Sequence, residues 1–400
     1  MNGSRPRLLF VSPRFLFPLD EGGKIRTSNI LRQMRGGEFE ITLASPAPAP
    51  NAHASEIAGI ADRFLSWPAP QPSPLTKALA VPGRLPISVA TDRSPAGCAV
   101  VARALAERPE VVVADFPHAG VLLPDAVDIP SVMFTHNIEA EIYERHAIVA
   151  PFPQRLVWRN EARKMRRYEG ETLRRFDTVI AVSARDGEGL RKQYGLEHIE
   201  LIDTGVDLDF YPFSPPPAEP VLVFSGAMDS RSNIDGIEFL LDEAWPLIAR
   251  ARPDARAVIV GRNPPPALMA KAQSRGLPWR FTGFVDDIRP HIAAAQVSVI
   301  PLRVGSGTRI KAFEAMALGR PVVSTTLGVE GLDITPGEHF LAADTAADLA
   351  GAVLGLFEDA ALRARLAQAA RTRLEERFSW AHVARQFEAI CLRAMRQRSG

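Results

Sequence analysis

Short, nearly unbroken apolar runs recur along the first half of the chain: RLLFVSP (Arg7–Pro13), EITLASP (Glu40–Pro46), VVVADF (Val111–Phe116), PSVMFTHN (Pro130–Asn137) and DTVIAVSA (Asp177–Ala184). They are rich in β-branched residues and show little polar alternation, so each reads as a strand buried on both faces. The stretches that follow carry apolar residues at helical spacing, beginning with Thr27–Met34. Strand alternating with helix specifies a parallel α/β sheet. Between Pro46 and Pro95 the pattern lapses into Pro and Ala, which predicts exposed irregular surface with a helical piece over Ser55–Phe64.

The segment Ile199–Pro220 changes character, and its three consecutive prolines, Pro215–Pro217, read as a linker. The alternation then restarts with VLVFSGA (Val221–Ala227), ARAVIVGR (Ala255–Arg262), WRFTGFV (Trp279–Val285), QVSVIPL (Gln296–Leu302), RPVVST (Arg320–Thr325) and HFLAA (His339–Ala343). Helices are predicted over Ile234–Arg250, Ala267–Arg275 and Ile288–Ala295, and almost throughout Ala346–Gln397. The expected architecture is two doubly wound α/β domains, residues 1–212 and 218–379, with a last helix in 380–400 returning to the first.

A length of 400 residues agrees with two domains. The net charge of +1 gives no general attraction to nucleic acid, and no nucleic-acid partner is expected. Two cysteines, Cys98 and Cys391, are too few for a disulfide framework or a zinc site. With no signal-peptide core and no spanning helix in view, a cytoplasmic location is expected. The sequence holds no HExxH, no clustered Cys and His, no D-x-D and no G-x-S-x-G, so no metal and no serine-hydrolase chemistry is expected. Only six of the 47 basic residues are lysines. Lys24 and Lys311 both lie in glycine-bearing loops and are more noticeable for it.

The stretch Val304–Thr325, VGSGTRIKAFEAMALGRPVVST, reads as a Gly-Ser-Gly turn, a short helix, a glycine stop and a Pro-led strand. Arg309 and Lys311 fall in or beside the first helical turn, where the macrodipole is already positive and disfavours cations. Gly305, Ser306 and Gly307 leave backbone N–H groups free to meet a ligand. Glycines, a helix start and two cations make an anion site, with phosphate as its natural occupant. Glu314 follows the apolar face marked by Ile310, Phe313 and Ala317, and a carboxylate there needs a partner. Ribose hydroxyls would serve; so would a Lys311 pair at i, i+3. Both readings stand on the residues alone.

Ligands of open α/β sheets bind where strands end and loops begin. Four further loops fall at such ends. PLDEGGKIRT offers Gly22 and Gly23 for close backbone approach and Lys24 and Arg26 for charge, or is a surface turn. THN places His136 to touch a substrate hydroxyl, or to make a buried structural bond. SGAMDSRSN offers Gly226 and Arg231 to a phosphate, or is a βα turn capped by Asn233 or Asp235. FTGFVDD presents Gly283, Phe284 and Val285 to a flat base, with Asp286 or Asp287 as a helix cap. The Arg155–Arg175 stretch carries eight basic residues on a helical pattern with Trp158, Met165 and Leu173. It reads as a membrane-surface helix or as a solvated helix laced with ion pairs.

Taken together, these loops resemble the fourth family of retaining, nucleotide-sugar-dependent glycosyltransferases, of GT-B fold. The resemblance rests on DEGGKIRT, FDTVIAVSARDGEGL, IDTGVDLDFYPF, FTGFVDDIRPHIAAAQVSVIPL, KAFEAMALGRPVVST and ERFSWAHVARQFE, in that order along the chain. It implies two Rossmann-like domains facing each other across a cleft, with the C-terminal helix returning to the first. It implies that Glu314 binds the nucleotide ribose and that Gly305–Thr308 (Gly305, Ser306, Gly307, Thr308), Arg309 and Lys311 hold the diphosphate. Gly22 and Gly23 would lie against phosphates or sugar, His136 near the reacting sugar, and Gly283–Val285 at the base. Two positions depart from the family: Ser306 stands where relatives carry a sugar-contacting glutamate, and Ala227 where an Arg is common.

The implied activity is metal-independent transfer of a hexose from a UDP- or GDP-sugar, with retention, to a glycan or lipid-linked acceptor at the inner face of a bacterial membrane. No cofactor beyond the donor is implied. Two rivals share the fold: a nucleotide-sugar epimerase, and a nucleotide-sugar-binding protein without catalysis.

Overall fold

The computed structural model describes residues 5–19, 21–49, 51–304 and 310–399. The chain divides into two compact units, Met1–Thr204 with Trp380–Gly400, and Gly205–Ser379. Residues 205–212, assigned from the sequence to the first unit, belong to the second, because Val206, Leu208 and Tyr211 pack into its core beside Phe378.

The first unit is built on β1 (Arg7–Val11), β2 (Glu40–Ala47), β3 (Arg63–Pro68), β4 (Val111–Asp115), β5 (Ser131–Phe134), β6 (Thr178–Ala181) and β7 (Ile199–Leu201). They form one parallel sheet in the order β3-β2-β1-β4-β5-β6-β7. Side chains alternate across it, as the strand period requires. Leu8 and Phe10 face the helices Gly22–Met34 and Trp380–Ser399 through Ile30, Met34 and Phe387, while Leu9 and Val11 join Trp67, Val101 and Met165 on the other side. The chain order reverses beside β1, which is where such sheets open a crevice at their carboxyl ends. The pairing of Val11 with Ala114 and of Asp115 with Phe134 sets Ser12, Asp115 and His136 side by side at those ends.

The Pro- and Ala-rich stretch is more regular than its composition suggests. Over Ser55–Phe64 the helix is confined to Ala54–Ala58, and Arg63–Pro68 becomes edge strand β3, where a proline is tolerated. Pro74 and Pro95 sit in the first turns of helices Pro74–Ala80 and Pro95–Ala106, capped by Ser73 and Ser94. A proline there forfeits no intrahelical bond, so it starts a helix instead of breaking one. The first helix likewise begins at Gly22, five residues before its predicted start at Thr27.

The second unit carries β8 (Val221–Ser225), β9 (Arg256–Val260), β10 (Trp279–Gly283), β11 (Val297–Ile300), β12 (Val322–Ser324) and β13 (Leu341–Ala342). They lie parallel in the order β10-β9-β8-β11-β12-β13, with the reversal beside β8. The predicted helix over Ile234–Arg250 is two helices, Arg231–Phe239 and Trp245–Ala251, joined by a π-helical turn at Leu240–Ala244. Pro246 has no N–H to donate, and the wider turn makes room for its ring.

Gly261, just past β9, approaches the backbone so closely that a methyl group would run into the carbonyl oxygen of Gly226. Gly261→Ala is therefore expected to cost about 1–3 kcal/mol of stability, the usual range for overpacking. Differential scanning calorimetry should show the loss as a lower melting temperature for the second unit.

Candidate active site

In the first unit, β1, β4 and β5 end in Ser12, Asp115 and the Thr135–His136 turn, and the helix Gly22–Met34 lays Arg26 and Thr27 across them. All are buried, His136 being 3% exposed and Asp115 fully enclosed. Asp115 accepts from Ser12 Oγ at 3.0 Å and from Thr27 Oγ1 at 3.1 Å, and lies 2.7 Å from His136 Nε2. Arg26 Nη1 lies 3.0 Å from His136 Nδ1, and its Nη2 donates to Thr204 Oγ1 at 3.0 Å.

The guanidinium can only donate, which settles the tautomer: Nδ1 accepts from Arg26, and Nε2–H donates to Asp115. Burial pushes the imidazole pKa down, Asp115 pulls it up, and Arg26 pushes it down again. The net downward shift keeps the ring neutral at neutral pH. Burial also lowers Arg26, to about 10, which leaves it charged. The rings of Phe116 and Phe134 close on His136, with centroids at 4.1 and 4.3 Å.

Of the two sequence readings of His136, the buried structural bond is the one these contacts fit. Both ring nitrogens are engaged by side chains of the same unit, so its bonding is that of a satisfied buried imidazole. Gly22, Gly23 and Lys24 differ from the predicted loop: they form the first turn of the helix, whose first ladder bond runs from Ile25 N to Glu21 O at 3.0 Å. Their own N–H groups precede the ladder, at the end that favours anions. A methyl group on Gly23 would strike the Phe116 ring, whereas nothing lies within 4 Å of one on Gly22.

In the second unit the carboxyl end of β8 meets two helices, Arg231–Phe239 and Ile310–Ala317. Lys311 Nζ donates to Asn233 Oδ1 at 2.7 Å and sits 4.6 Å from the Phe224 ring centroid. Asn233 Nδ2 donates in turn to Ala227 O at 2.7 Å. Asn233 thus ties the lysine to the β8 loop, and does not cap its own helix, whose N-cap is Ser230. A methyl group on Gly226 would lie 3.0 Å from Lys311 Nζ, so the glycine brings bare backbone up to the ammonium. Arg231 is exposed at the first position of its helix.

Glu314 Oε1 accepts from the Tyr211 hydroxyl at 2.9 Å. Burial pushes the carboxyl pKa up, against the Tyr211 bond and the charge of Lys311, which pull it down. Tyr211 is itself well anchored. Arg289 stacks 3.9 Å from the neighbouring Phe210 ring centroid and donates to Phe210 O at 2.9 Å, and Arg371 Nη1 donates to both Tyr211 O and Ala317 O at 2.9 Å. Arg320 of the LGRP segment is fully buried, and its role is structural. It donates to Ala293 O at 2.7 Å and Leu318 O at 3.0 Å, capping carbonyls at helix ends, and to the Ser214 hydroxyl at 2.7 Å.

At the end of β10, Gly283 adopts φ 70°, Phe284 stands 73% exposed, and Val285 packs against the core. Asp287 Oδ1 accepts from the N–H of Arg289 at 2.9 Å, at the start of the helix Arg289–Ala293. Gly305, Ser306, Gly307, Thr308 and Arg309 lie outside the described residues. The structure thus links Gly226, Asn233 and Lys311, and Glu314 with Tyr211, in the second unit, and brings Arg26, Asp115 and His136 together in the first. Asp115 was legible as a carboxylate ending a wholly apolar strand. Arg26 was legible as charge in the glycine loop but not as the partner of His136, and Tyr211 carried no local signal.

Two doubly wound parallel sheets, each with polar loops gathered at its switch point, are the build of two-domain Rossmann-like proteins. The model of the Glycosyltransferase Family 4 domain matches residues 21–210, and that of Glycosyl transferases group 1 matches residues 219–359. The chain is 27% identical over 307 residues to a glycogen synthase of Mycobacterium tuberculosis, covering 72% of this chain and 70% of that protein. It is 31% identical over 220 residues to a phosphatidyl-myo-inositol mannosyltransferase of Mycolicibacterium smegmatis, covering 53% and 56%. Among solved structures it resembles sucrose-phosphate synthase from Thermosynechococcus elongatus, with a TM-score of 0.65 at 19% identity, covering 96% and 98% of the two chains. Anabaena HepE in complex with UDP matches with a TM-score of 0.64 at 19% identity, covering 96% and 99%. The chain belongs to glycosyltransferase family 4 and has the GT-B fold. It is a nucleotide-sugar glycosyltransferase, and the epimerase reading is not favoured, since the matched relatives are transferases and synthases.

Proposed function

We propose that this enzyme transfers a hexose from a UDP- or GDP-sugar to a hydroxyl of a glycan or lipid-linked acceptor, with retention of configuration and without a metal ion. The observation that carries this reading is Lys311: an ammonium held by Asn233 over Gly226, beside the start of the helix Arg231–Phe239. As the bond from the anomeric carbon to the phosphate oxygen breaks, negative charge grows on the diphosphate. A preorganised cation there stabilises the transition state without reorganising. The charge a metal would otherwise neutralise falls to Lys311 and, from its place in the sequence, Arg309.

Glu314 takes the ribose hydroxyls, Gly305–Thr308 supply backbone donors to the phosphates, and Gly283, Phe284 and Val285 seat the base. Gly22, Gly23, Lys24 and Arg231 complete the proposed donor contacts. The acceptor attacks from the face the leaving group departs, and the leaving phosphate takes its proton. His136 serves as a positioning residue, since a hydrogen bond from its ring to the sugar requires Arg26 or Asp115 to release a nitrogen.

Relatives named for phosphatidyl-myo-inositol and D-inositol 3-phosphate favour a lipid-linked or small polyol acceptor. Peripheral contact with the inner face of the membrane is supported by the tip joining helices Glu139–Val149 and Gln154–Leu173. It exposes Ile148, Phe152 and Leu156 with Arg155 and Arg159 nearby in the chain, apolar groups flanked by cations. Among the described residues no helix is long and apolar enough to cross a membrane. Phe152→Asp should abolish co-sedimentation with phosphatidylglycerol vesicles, and undiminished co-sedimentation would rule the tip out.

The activity is tested by incubating the enzyme with UDP- and GDP-hexoses and an acceptor panel in EDTA, and reading the product linkage by NMR. The expected product keeps the donor's anomeric configuration. An inverted product, or turnover only with added divalent cation, would refute retention or metal independence respectively.

A further inference from the structure

An arginine-rich helix normally balances its charge with acids on nearby turns and neighbouring helices. The helix Gln154–Leu173 does so in part: Arg166 pairs with Glu144 of the helix beside it. A second face is different. Asn160, Arg163, Lys164 and Arg167, at spacings i, i+3, i+4 and i+7, share it. With the loop of residues 81–84 they line a cavity of about 460 Å³.

Two of these cations hold the walls of the cavity together. Lys164, only 8% exposed, donates to Val81 O at 2.5 Å and to Glu161 Oε1 at 2.8 Å. Arg167 Nη2 donates to Arg84 O at 2.5 Å. The other carboxylate oxygen of Glu161 accepts from Ile87 N at 2.6 Å, where the loop enters the helix Ile87–Asp92. Loop and helix are thus tied to each other by bonds internal to the first unit. The next residue, Ser88, has its Oγ 3.1 Å from His118 Nε2, which connects the loop to the carboxyl end of β4.

The other two cations serve no bond in the fold. Arg84 and Arg163 are exposed, and their side chains make no hydrogen bond or ion pair among the described residues. No acid is among the residues that line the cavity. Glu161 is occupied by Lys164 and the Ile87 N–H, and Glu171 reaches Arg167 only at 4.0 Å from an exposed position, a weak pairing. Cations therefore line one space from two walls, Arg84 on the loop and Arg163, Lys164 and Arg167 on the helix. Like charges gathered without an acid repel one another, and a bound anion relieves that repulsion.

We propose that this cavity binds a phosphate group carried on a sugar-sized or headgroup-sized molecule. Guanidinium forks match phosphate oxygens with paired hydrogen bonds, and cations on two walls suit a tetrahedral anion better than a planar carboxylate. Pockets for small organic ligands run from about 300 to 1,000 Å³, so the space leaves room for the group that the phosphate is attached to. Asn160, half-buried in the lining, offers its amide to a hydroxyl of that group. The site lies wholly within the first unit. It goes beyond the transferase reading and does not depend on the donor loops of the second unit.

Phenylglyoxal labels accessible arginines, and peptide mass spectrometry on the full chain reads each position separately. Either sn-glycerol 3-phosphate or phosphatidylglycerol vesicles should slow the labelling of Arg84 and Arg163 about fivefold or more. Arg103 and Arg191, exposed on other helices of the same unit, should label as before. Acetate at equal ionic strength should not protect. Arg84→Gln combined with Arg163→Gln should weaken the protecting probe about tenfold or more, the usual consequence of losing charge-assisted hydrogen bonds. Titration calorimetry with UDP and GDP present reads this for the ester, and co-sedimentation reads it for vesicles. Neither arginine bonds within the fold, so the melting temperature should hold or rise and the nucleotide affinities should stay within about twofold. Arg163→Lys keeps the charge and should recover part of the binding. Labelling of the wild type carries the test if the double variant fails to fold. Protection by the ester assigns a soluble phosphate and protection by vesicles alone a lipid-borne one; either supports the site. No protection by either probe, equal protection of Arg103 and Arg191, equal protection by acetate, or undiminished binding in the double variant would overturn it. A chain that shows the protection but binds neither UDP nor GDP would refute the donor reading and leave this site standing.

Discussion

Replacing Lys311 by alanine should lower kcat/KM by about 10²- to 10³-fold, the usual effect of removing one preorganised group that stabilises transition-state charge. The loss should fall mainly on kcat, because the diphosphate carries more charge in the transition state than in the bound donor. Lys311 also donates to Asn233 and rests on the Phe224 ring, so some stability goes with it. A hydrogen bond and a partly exposed cation–π contact are together worth about 1–2 kcal/mol. That is a few degrees of melting temperature for a unit of this size. A collapse of melting temperature that matches the loss of turnover would mean that the lysine is a structural residue. Lys311→Arg keeps the charge but changes the shape, and should recover part of kcat. Rescue by charge is not expected of a residue that only fills space.

Glu314→Ala should weaken UDP or GDP binding by about 10- to 100-fold, since a hydrogen bond to a charged group is worth about 1.5–3 kcal/mol. The carboxylate enters with one oxygen already oriented by Tyr211, so the ribose meets a fixed acceptor. Tyr211→Phe should then cost less, about threefold to tenfold, because it removes the orientation and not the acceptor. The order separates the ribose role from a packing role: if Tyr211→Phe matched Glu314→Ala in affinity loss, the pair would matter as an internal bond. Unchanged nucleotide affinity in Glu314→Ala would remove the ribose assignment outright.

Much of this architecture was legible because it is written locally. Apolar runs such as VVVAD and VLVFS need no distant information to be strands, and the order of strand and helix then dictates parallel sheets. Lys311 and Glu314 stood out for the same reason: a cation near a helix start and an acid beside an apolar face are both local anomalies. What stayed hidden was decided at a distance. Tyr211 is 103 residues from the Glu314 it contacts, and Arg26 is 110 from His136. No periodicity announces such pairs. The prolines misled differently: their chemistry suits both a loop and a helix's first turn, and only Ser73 and Ser94 as caps decide between them. Glu139 is the instructive case, because its sequence neighbourhood resembles a helix start that wants an acid, while Glu169, thirty residues on, already fills that need.

The second unit should hold a nucleoside diphosphate through Lys311 and Glu314 without help from a metal. Isothermal titration of UDP and GDP into the full chain in EDTA measures this. The prediction is saturable one-to-one binding of at least one nucleotide to the wild type, weakened at least tenfold in Glu314→Ala. Absence of binding in EDTA that appears only with added magnesium, or equal affinity in wild type and Glu314→Ala, would contradict it.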